Sequence, residues 1–183
     1  MKKVCLTYFE PFGERRENVS LIVSKDVDNP KVNLDKKGLR VSYDNIEKEI
    51  EEIISSNYDL VVLTGEAGGR KKVSLEKLAI NLKSAKIPDN DGKICFNERI
   101  DNGNDAIFSN VDVISLNEKL KEEGYDLEVS LTAGAYICNL SYYYALKKVK
   151  EKNLKTKVIF VHYPVLEDTS SFHKIIERII DLV

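Results

Sequence analysis

The chain has few of the residues that mark fibrous, disordered or membrane-spanning proteins. Four prolines and nine glycines in 183 residues are too few for a collagenous or linker-rich chain. Its uninterrupted apolar runs are short, so we expect no segment that crosses a membrane. The first residues, Met1 to Val4, lead into a candidate strand rather than a secretory apolar segment, and no export signal is expected. These shortages are typical of a globular protein.

Neither sign of charge is in clear excess. Lysine and arginine number 28, aspartate and glutamate 30, and the formal net charge is −2. A nucleic-acid-binding protein normally carries a basic excess or a basic stripe, so we expect no nucleic-acid partner. Hydrophobic residues make up 43% of the chain, which is enough for a substantial core.

Cysteine and histidine are also scarce. The three cysteines, Cys5, Cys95 and Cys138, are odd in number and widely separated, unlike a disulfide framework. A reducing cytoplasm is therefore the expected compartment, and Cys5 and Cys95 are expected to pack in the core. No pair of cysteine or histidine residues has the spacing of metal ligands, so no metal site is expected.

Apolar periodicity alternates between short strand-like segments and longer helical ones. Strands that alternate with helices predict the α/β class: a single three-layer α/β/α domain over residues 1–183, with a mixed, mainly parallel twisted sheet. The predicted strands are Lys3–Tyr8, Leu39–Tyr43, Asp59–Thr64, Leu127–Thr132 and Lys157–His162, with two shorter ones around a turn at Pro88–Gly92. The predicted helices are Val19–Val27, Asp44–Ser55, Cys138–Lys152, one marked by Val113, Leu116 and Leu120 and closed by Gly124, and a last one striped from Phe172 to Ile180. The stretches Asn29–Gly38 and Gly65–Arg70 are predicted to be turns or loops.

Two reactive side chains fall at the ends of predicted strands. Cys138 follows a strand and a small-residue turn and opens a helix, and His162 ends an apolar strand. Catalytic groups of α/β sheets gather at the carboxyl ends of strands. The positive end of the helix dipole favours a thiolate, and a neighbouring histidine would lower the thiol pKa further and could protonate a leaving group. The alternative is that Cys138 is a small buried hydrophobe and His162 a surface or capping residue.

A glycine-rich stretch raises the question of nucleotide binding. Gly65, Gly68 and Gly69 follow a predicted buried strand, but they match neither the GxGxxG nor the GxxxxGK[ST] spacing. The nucleotide-binding interpretation is therefore weak.

Four stretches, in order along the chain, resemble the motifs of one family. Residues 7–20 (TYFEPFGERRENVS) resemble its TGFEPFGG…NPS opening, and residues 63–81 (LTGEAGGRKKVSLEKLAIN), with SAKIPDNDG after them, resemble its GQAGGR…ERVAIN and ARIPDNxG segments. Residues 132–139 (TAGAYICN) and 159–164 (IFVHYP) resemble its TAGTFVCN and F(I/V)HIP motifs. The family is that of the pyroglutamyl peptidases (pyrrolidone carboxyl peptidases), cysteine peptidases with a phosphorylase/hydrolase-like fold.

The resemblance implies a catalytic triad of Cys138 as nucleophile, His162 as general base and acid, and Glu76 as the residue that orients the histidine. Cys138 would attack the carbonyl between an N-terminal pyroglutamyl residue and the next residue, and water would hydrolyse the resulting thioester. The implied partners are small peptides with N-terminal pyroglutamate, and no metal or organic cofactor is implied. Because family members often form tetramers, a homo-oligomer, either a dimer or a tetramer, is also implied.

The implied specificity pocket is apolar and aromatic, because its ligand is a flat and neutral lactam ring. Phe9 and Phe12 match the two rings that sandwich the lactam, and Asn18 matches an asparagine near its polar edge. The full set of implied substrate-binding residues is Phe9, Phe12, Asn18, Glu66, Ile87, Tyr136 and Ile137.

Four positions depart from the family's motifs. Tyr8 stands where the family has glycine, so its ring is expected to crowd the pocket or alter the turn. Glu66 replaces a glutamine, and its carboxylate is expected to repel anionic substrates and to raise the pKa of nearby groups. Lys86 replaces an arginine and loses its planar fork, and Val19 replaces the proline that follows Asn18.

Two other functions stay open from the sequence. A divergent thiol amidohydrolase of the same fold could act on another N-blocked or lactam substrate, with Tyr8 and Glu66 reshaping the pocket. A non-catalytic homologue could bind pyroglutamyl ligands without turnover. Thiol alkylation separates enzyme from binder, because a triad cysteine is expected to react with iodoacetamide faster than Cys5 or Cys95.

Overall fold

A six-stranded sheet organises the chain, and the computed structural model describes all residues from 1 to 183. The strands are β1 (Lys3–Phe9), β2 (Asn33–Leu39), β3 (Leu60–Ala67), β4 (Val73–Glu76), β5 (Leu78–Ile80), β6 (Ala106–Phe108), β7 (Leu127–Ser130) and β8 (Lys157–Pro164). The main sheet has the order β2-β1-β3-β8-β4-β7, and β5 pairs with β6 in a separate antiparallel ribbon. Within the main sheet only β4 with β8 is antiparallel, so the expected mixed, mainly parallel sheet is confirmed.

Helices cover both faces of this sheet. They are α1 (Val19–Asp26), α2 (Ile46–Ile54), α3 (Val113–Glu122), α4 (Ile137–Glu151) and α5 (Phe172–Leu182). The apolar sides of α2 and α4 pack in one buried cluster, and those of α1, α3 and α5 in a second. This arrangement confirms the expected three-layer α/β/α fold. No helix of the chain is both long enough and apolar enough to cross a membrane.

The central strands are buried on both faces, as continuous apolar runs predict. In β8, Val158 and Phe160 belong to the cluster under α2 and α4, whereas Ile159 and Val161 belong to the other. Because side chains alternate along a strand, His162 shares the face of Phe160, and the two ring centroids are 4.6 Å apart. The alternation therefore places His162 on the side of the sheet where α4 packs.

The second strand is not where the sequence predicted it. β2 occupies Asn33–Leu39, inside the stretch expected to be turn-rich, and the predicted strand Leu39–Tyr43 starts where β2 ends. β2 is an edge strand that pairs only with β1 and is mostly exposed. It therefore lacks the apolar alternation of a half-buried strand, which is the signal that sequence reading depends on.

The prediction of two short strands around the turn at residues 88–92 is also wrong. Only an isolated bridge between Lys83 and Glu98 joins the two sides of this segment. The turn itself is present, because a carboxylate oxygen of Asp89 accepts hydrogen bonds from two backbone N–H groups of the segment at 2.9 and 2.8 Å. Cys95 lies outside any strand but is buried, as is Cys5, and all three cysteines are unpaired.

Candidate active site

The carboxyl ends of β3 and β8 meet the start of α4 at one place. β3 continues through Gly65, where a loop was expected, and Gly65 pairs with His162 in parallel register. A side-chain carbon added to Gly65 would lie 2.7 Å from Cys138 Sγ and 3.5 Å from His162 Cδ2. The thiol and the imidazole are therefore neighbours around this glycine. Only glycine, which has no Cβ, leaves enough space for the Cys138 thiol at this position.

The start of α4 is fixed by the residue after Cys138. The side chain of Asn139 accepts a hydrogen bond from Ile80 N at 2.9 Å and donates to Ile80 O and Leu82 O at 2.8 and 3.1 Å. These bonds fasten the first turn of the helix to β5 and the residues after it. Cys138, the second residue of α4, is therefore held in a defined position.

His162 is bound to a buried carboxylate. Its Nδ1 lies 2.7 Å from Glu76 Oε1, and the two residues are 3% and 0% exposed. Because the carboxylate accepts, Nδ1 carries the hydrogen of the neutral ring and Nε2 is the free acceptor. Cδ2, the carbon beside Nε2, is the atom nearest the Gly65 position, so the accepting edge of the ring is the one beside the thiol.

Arg70 is a fourth member of this cluster. Its Nη2 lies 2.6 Å from the same Glu76 oxygen and donates to the carbonyl of Thr132 at 2.8 Å. The Arg70 side chain is 19% exposed, so the ion pair is largely shielded from water. Arg70 therefore compensates the charge of Glu76 and fixes the orientation of its carboxylate.

Burial is the largest influence on the pKa values of both reactive groups. It lowers the pKa of His162 below the ordinary 6.5; the hydrogen bond to Glu76 opposes this, and the charge of Arg70 adds to it. Cys138 keeps partial exposure to the cavity, but protein surrounds its sulfur, and burial, followed by Glu76 and Glu66, raises the pKa of the thiol to about 12. The resting pair is thus a neutral thiol and a neutral imidazole.

The predicted lowering of the thiol pKa is therefore wrong in direction. A helix terminus contributes about 0.3–1 kcal/mol, which is less than the roughly 1.4 kcal/mol that one pH unit represents. Burial of the thiol away from water raises its pKa, and so do the negative charges of Glu76 and Glu66. A base must therefore take the proton if the sulfur is to attack, and the neighbouring His162 is the candidate. The expected effect of Glu66 on a nearby pKa is confirmed.

A small apolar cavity of about 40 Å³ lies beside the thiol. Its lining includes six of the seven residues implied to bind substrate, together with Cys138 and one residue that the sequence did not indicate, Val41. Its eight lining residues are Phe9, Phe12, Asn18, Val41, Glu66, Tyr136, Ile137 and Cys138. This volume is well below the usual range of ligand pockets, so only a small group could enter the cavity.

Aromatic contacts shape this cavity. The Tyr136 ring contacts the Phe12 ring at a centroid distance of 6.0 Å and the Tyr43 ring edge-on at 5.8 Å. Its hydroxyl donates to the carbonyl of Pro88 at 2.9 Å, which fixes the ring from the far end. Tyr136 is thus held on three sides.

The two polar residues of the cavity are tied to the start of α1. Asn18 is its N-cap: Oδ1 accepts from Ser20 N at 3.0 Å. Glu66 Oε2 accepts from Val19 N at 2.8 Å, and Oε1 lies 3.1 Å from Arg15 Nε. Both residues therefore have structural partners as well as a place in the cavity.

Ile87 and three of the four departures, Tyr8, Val19 and Lys86, are not part of the cavity lining. Ile87 is 49% exposed and lines an open groove next to Phe12, because the chain turns outward before Pro88. The Tyr8 ring lies over β2, where a Cβ on Gly38 would meet it at 3.1 Å, so the expected crowding of the pocket is wrong. Side chains alternate along β1, so Phe9 faces the cavity and Tyr8, the residue before it, faces away. Lys86 is exposed.

The sequence did not indicate that Arg70 and Val41 belong to the site, or that Gly65 leaves the space for the thiol. Arg70 lies in the GGR segment quoted for the resemblance, but no local pattern indicates that its guanidinium reaches Glu76. Val41 lies inside the predicted strand Leu39–Tyr43 but follows β2 in the structure, so its direction could not be predicted.

A thiol, an imidazole and a buried carboxylate at one edge of an α/β sheet, next to a small apolar cavity, define a hydrolase of the cysteine type. A family model described as pyroglutamyl peptidase matches residues 2–175. The chain belongs to the pyroglutamyl peptidase family, and the resemblance read from its motifs is confirmed.

Relatives and solved structures agree with this assignment. The chain is 34% identical over 178 residues to the pyrrolidone-carboxylate peptidase of Bacillus cytotoxicus, covering 94% of this chain and 83% of that protein. It is 36% identical to pyrrolidone-carboxylate peptidase 2 of Caldanaerobacter subterraneus, covering 90% and 82%. The crystal structure of the pyrrolidone carboxyl peptidase of Fervidobacterium islandicum AW-1 matches with a TM-score of 0.87 at 33% identity, covering 100% and 96%. That of Thermococcus litoralis matches with a TM-score of 0.92 at 25% identity, covering 100% and 93%.

Proposed function

We propose that this chain is a cysteine peptidase that hydrolyses the amide bond after an N-terminal pyroglutamyl residue. The observation that carries the proposal is the apolar cavity, which includes Cys138 in its lining and lies beside the His162–Glu76 pair. A pyroglutamyl ring seated there would present its exocyclic carbonyl to the sulfur. Family membership supports the same substrate class.

The cavity favours a neutral ring over a charged N-terminus. Phe9, Phe12 and Tyr136 supply flat apolar surfaces for a lactam. A free N-terminal glutamine or glutamate would bring an ammonium group into these surroundings, at a cost of several kcal/mol. The lactam has a neutral N–H and a neutral carbonyl in its place.

In the first step we assign His162 as the base. Cys138 Sγ bonds to the pyroglutamyl carbonyl carbon while its proton moves to His162 Nε2. The imidazolium that forms is stabilised by Glu76, bound at Nδ1. His162 then donates the proton to the departing amine as the carbon–nitrogen bond breaks, which leaves a thioester on Cys138.

The start of α4 supplies candidate donors for the oxyanion. Its N-cap residue, Tyr136, makes no side-chain capping bond, and the first intrahelical bond is donated by Leu140 N. The N–H groups of Cys138 and Asn139 precede it and have no partner within the helix. They would stabilise the negative charge on the tetrahedral intermediate.

Water completes the reaction. It attacks the thioester carbonyl and passes a proton to His162 Nε2, the carbon–sulfur bond breaks, and the thiol is restored with free pyroglutamate as product. The residues of the chain supply each proton transfer. We propose small pyroglutamyl peptides as substrates and the cytoplasm as the compartment, which suits three unpaired cysteines. A single-domain protein assembled as a dimer or tetramer stays a prediction.

The test is hydrolysis of pyroglutamyl-7-amido-coumarin by the wild-type protein and by Cys138→Ala. We expect the variant to lose at least roughly 10⁴-fold in kcat, because the nucleophile is removed. Cys95→Ala is the matched control, since this cysteine is buried outside the cavity, and we expect it to keep activity. Folded wild-type protein that does not turn over the pyroglutamyl substrate but hydrolyses an N-acetyl amide would support the divergent amidohydrolase instead.

A further inference from the structure

Glu66 is a buried carboxylate in the cavity lining. Its side chain is 3% exposed, and each oxygen has one partner: Arg15 Nε at 3.1 Å and Val19 N at 2.8 Å. An unpaired carboxylate in such a place is expensive, because it has lost its water. Arg15 is the one side-chain cation within ion-pair distance of Glu66. The charge of this part of the lining therefore depends on Arg15.

Two of the departures from the family's motifs meet at this point. Proline has no N–H, so Val19, which replaces it, supplies the hydrogen-bond donor. Glu66, which replaces glutamine, supplies the charged acceptor. Arg15 adds the balancing positive charge from the loop before α1. The three residues form one neutral unit, which we call the Arg15–Val19–Glu66 unit.

Arg15 reaches Glu66 from the solvent side. Its side chain is 42% exposed, and its Nε also donates to the carbonyl of Glu17 at 3.3 Å. The same loop carries Phe12, which lines the cavity. Arg15 can therefore be replaced without removing an apolar core side chain, which makes its electrostatic contribution measurable.

We propose that Arg15 is a specificity-determining residue, which neutralises Glu66 and thereby keeps the cavity selective for the neutral pyroglutamyl ring over N-terminal rings that carry an ammonium group. The inference rests on the proposed function and extends it. Without Arg15, the Glu66 carboxylate would attract a cationic ring in a medium where charges are poorly screened. Proline at the N-terminus is the matched competitor, because its ring has the same size and a charged amine.

The Arg15–Val19–Glu66 unit also bears on the thiol. The charged and titratable groups around the thiol are Glu66, Glu76, Arg70, His162 and Tyr136. Glu66 is one of the groups that raise the pKa of Cys138, so an unbalanced Glu66 would make the thiolate harder to form. Alkylation of Cys138 therefore reports the charge of the unit without any peptide substrate.

The experiment compares Arg15→Ala, Glu66→Gln and the double variant with wild-type protein. The readouts are kcat/KM for pyroglutamyl and prolyl amides of 7-amino-coumarin, and the rate of Cys138 alkylation by iodoacetamide at pH 8, followed by peptide mass spectrometry. Arg16→Ala is the matched control, because Arg16 is the exposed neighbour in the same loop and makes no ion pair.

We expect Arg15→Ala to reduce the preference for pyroglutamyl over prolyl substrate roughly tenfold and to slow alkylation, because the positive charge that balances Glu66 is lost. Glu66→Gln should speed alkylation, which is the opposite sign. The double variant should return both quantities to within about threefold of wild type, because both charges are gone. Arg16→Ala should change neither.

Equal effects of Arg15→Ala and the double variant would overturn the proposal, since they would assign Arg15 to loop packing. An unchanged preference in Arg15→Ala would overturn it as well. If the wild-type protein hydrolysed no pyroglutamyl substrate, the proposed function would fail. The opposite signs of the two single variants in alkylation would still decide whether Arg15 balances Glu66.

Discussion

The site has two regions that are held by different parts of the fold. The triad corner consists of Glu76, Cys138 and His162. The cavity wall consists of Phe12, Glu66 and Arg15, the ion-pair partner of Glu66. In the triad corner, Glu76 and His162 are 0% and 3% exposed and lie on paired strands. In the cavity wall, Phe12 and Arg15 lie in the loop that precedes α1, and the Arg15 side chain is 42% exposed. The first region depends on sheet register, and the second joins this loop to Glu66 near the end of β3.

This difference shows which part of the site is free to vary. A strand cannot shift by one residue without turning every side chain to the other face, so the register fixes the triad corner. A loop can exchange residues with little effect on the core. None of the four departures from the family's motifs falls in the triad corner, whereas Glu66 and Val19 are joined at the cavity wall. The sheet therefore fixes the positions of the triad-corner residues, whereas residues of the cavity wall can be exchanged more easily.

Among variants that leave the triad residues themselves in place, we expect the largest effect from a substitution at Gly65. Gly65→Ala should reduce kcat/KM about 100-fold, because the added carbon would lie 2.7 Å from Cys138 Sγ and displace it. Gly68→Ala is the control, since a Cβ there meets nothing within 4 Å and activity should be kept. The measurement is steady-state hydrolysis with thermal unfolding to check folding. A fully active Gly65→Ala enzyme would contradict the thiol position described.

A second test alters the charge behind the triad corner. Arg70→Met should reduce kcat roughly tenfold, because Glu76 loses the partner that holds its carboxylate. Arg70 also lowers the pKa of His162, so the variant should have a higher His162 pKa.

The pH profile shows whether Arg70 acts through His162. Activity requires neutral His162, so kcat/KM of the wild type should fall only below pH 6.5, and the acidic limb of Arg70→Met should move to higher pH. Lys71→Met, at the exposed neighbouring position, should leave the profile unchanged. Loss of rate with an unmoved acidic limb would mean that Arg70 only supports the local structure.

A third test separates the cavity wall from the groove beside it. Phe12→Ala should raise KM for the pyroglutamyl substrate about tenfold, which corresponds to the loss of one to two kcal/mol of apolar contact. Ile87→Ala should change KM less than about twofold, because Ile87 is 49% exposed and outside the cavity. Equal effects would place Ile87 in the pocket, as the family resemblance implied.

The smallest expected effect distinguishes capping from recognition at Asn18. Asn18→Ala and Asp112→Ala each remove the side-chain cap of a helix, α1 and α3, and each should lose about 1 kcal/mol of unfolding free energy in urea. Only Asn18 lines the cavity, so only its variant should also raise KM. If KM stays unchanged in both variants, Asn18 is a helix cap alone.

The sequence predicted β8 and α4, which carry His162 and Cys138, but not β4, which carries Glu76. Apolar runs indicated β3 and β8, the isoleucine stripe indicated α2, and the small-residue turn before Cys138 indicated the start of α4. It failed at β2, because an exposed edge strand has no apolar alternation to read. The direction of the Tyr8 ring followed from the alternation of β1, once that strand was joined to β2.

By itself the sequence determined the fold class and the family and indicated the residues that we propose as the triad, because periodicity and motifs are local properties of the chain. Only the tertiary structure decided that Arg70 pairs with Glu76, that Arg15 pairs with Glu66, and that Ile87 lies outside the cavity. It also decided that the thiol pKa is raised rather than lowered. Burial and the charges that surround a group come from residues far apart in sequence, and they exist only when the strands are in register and the helices have packed.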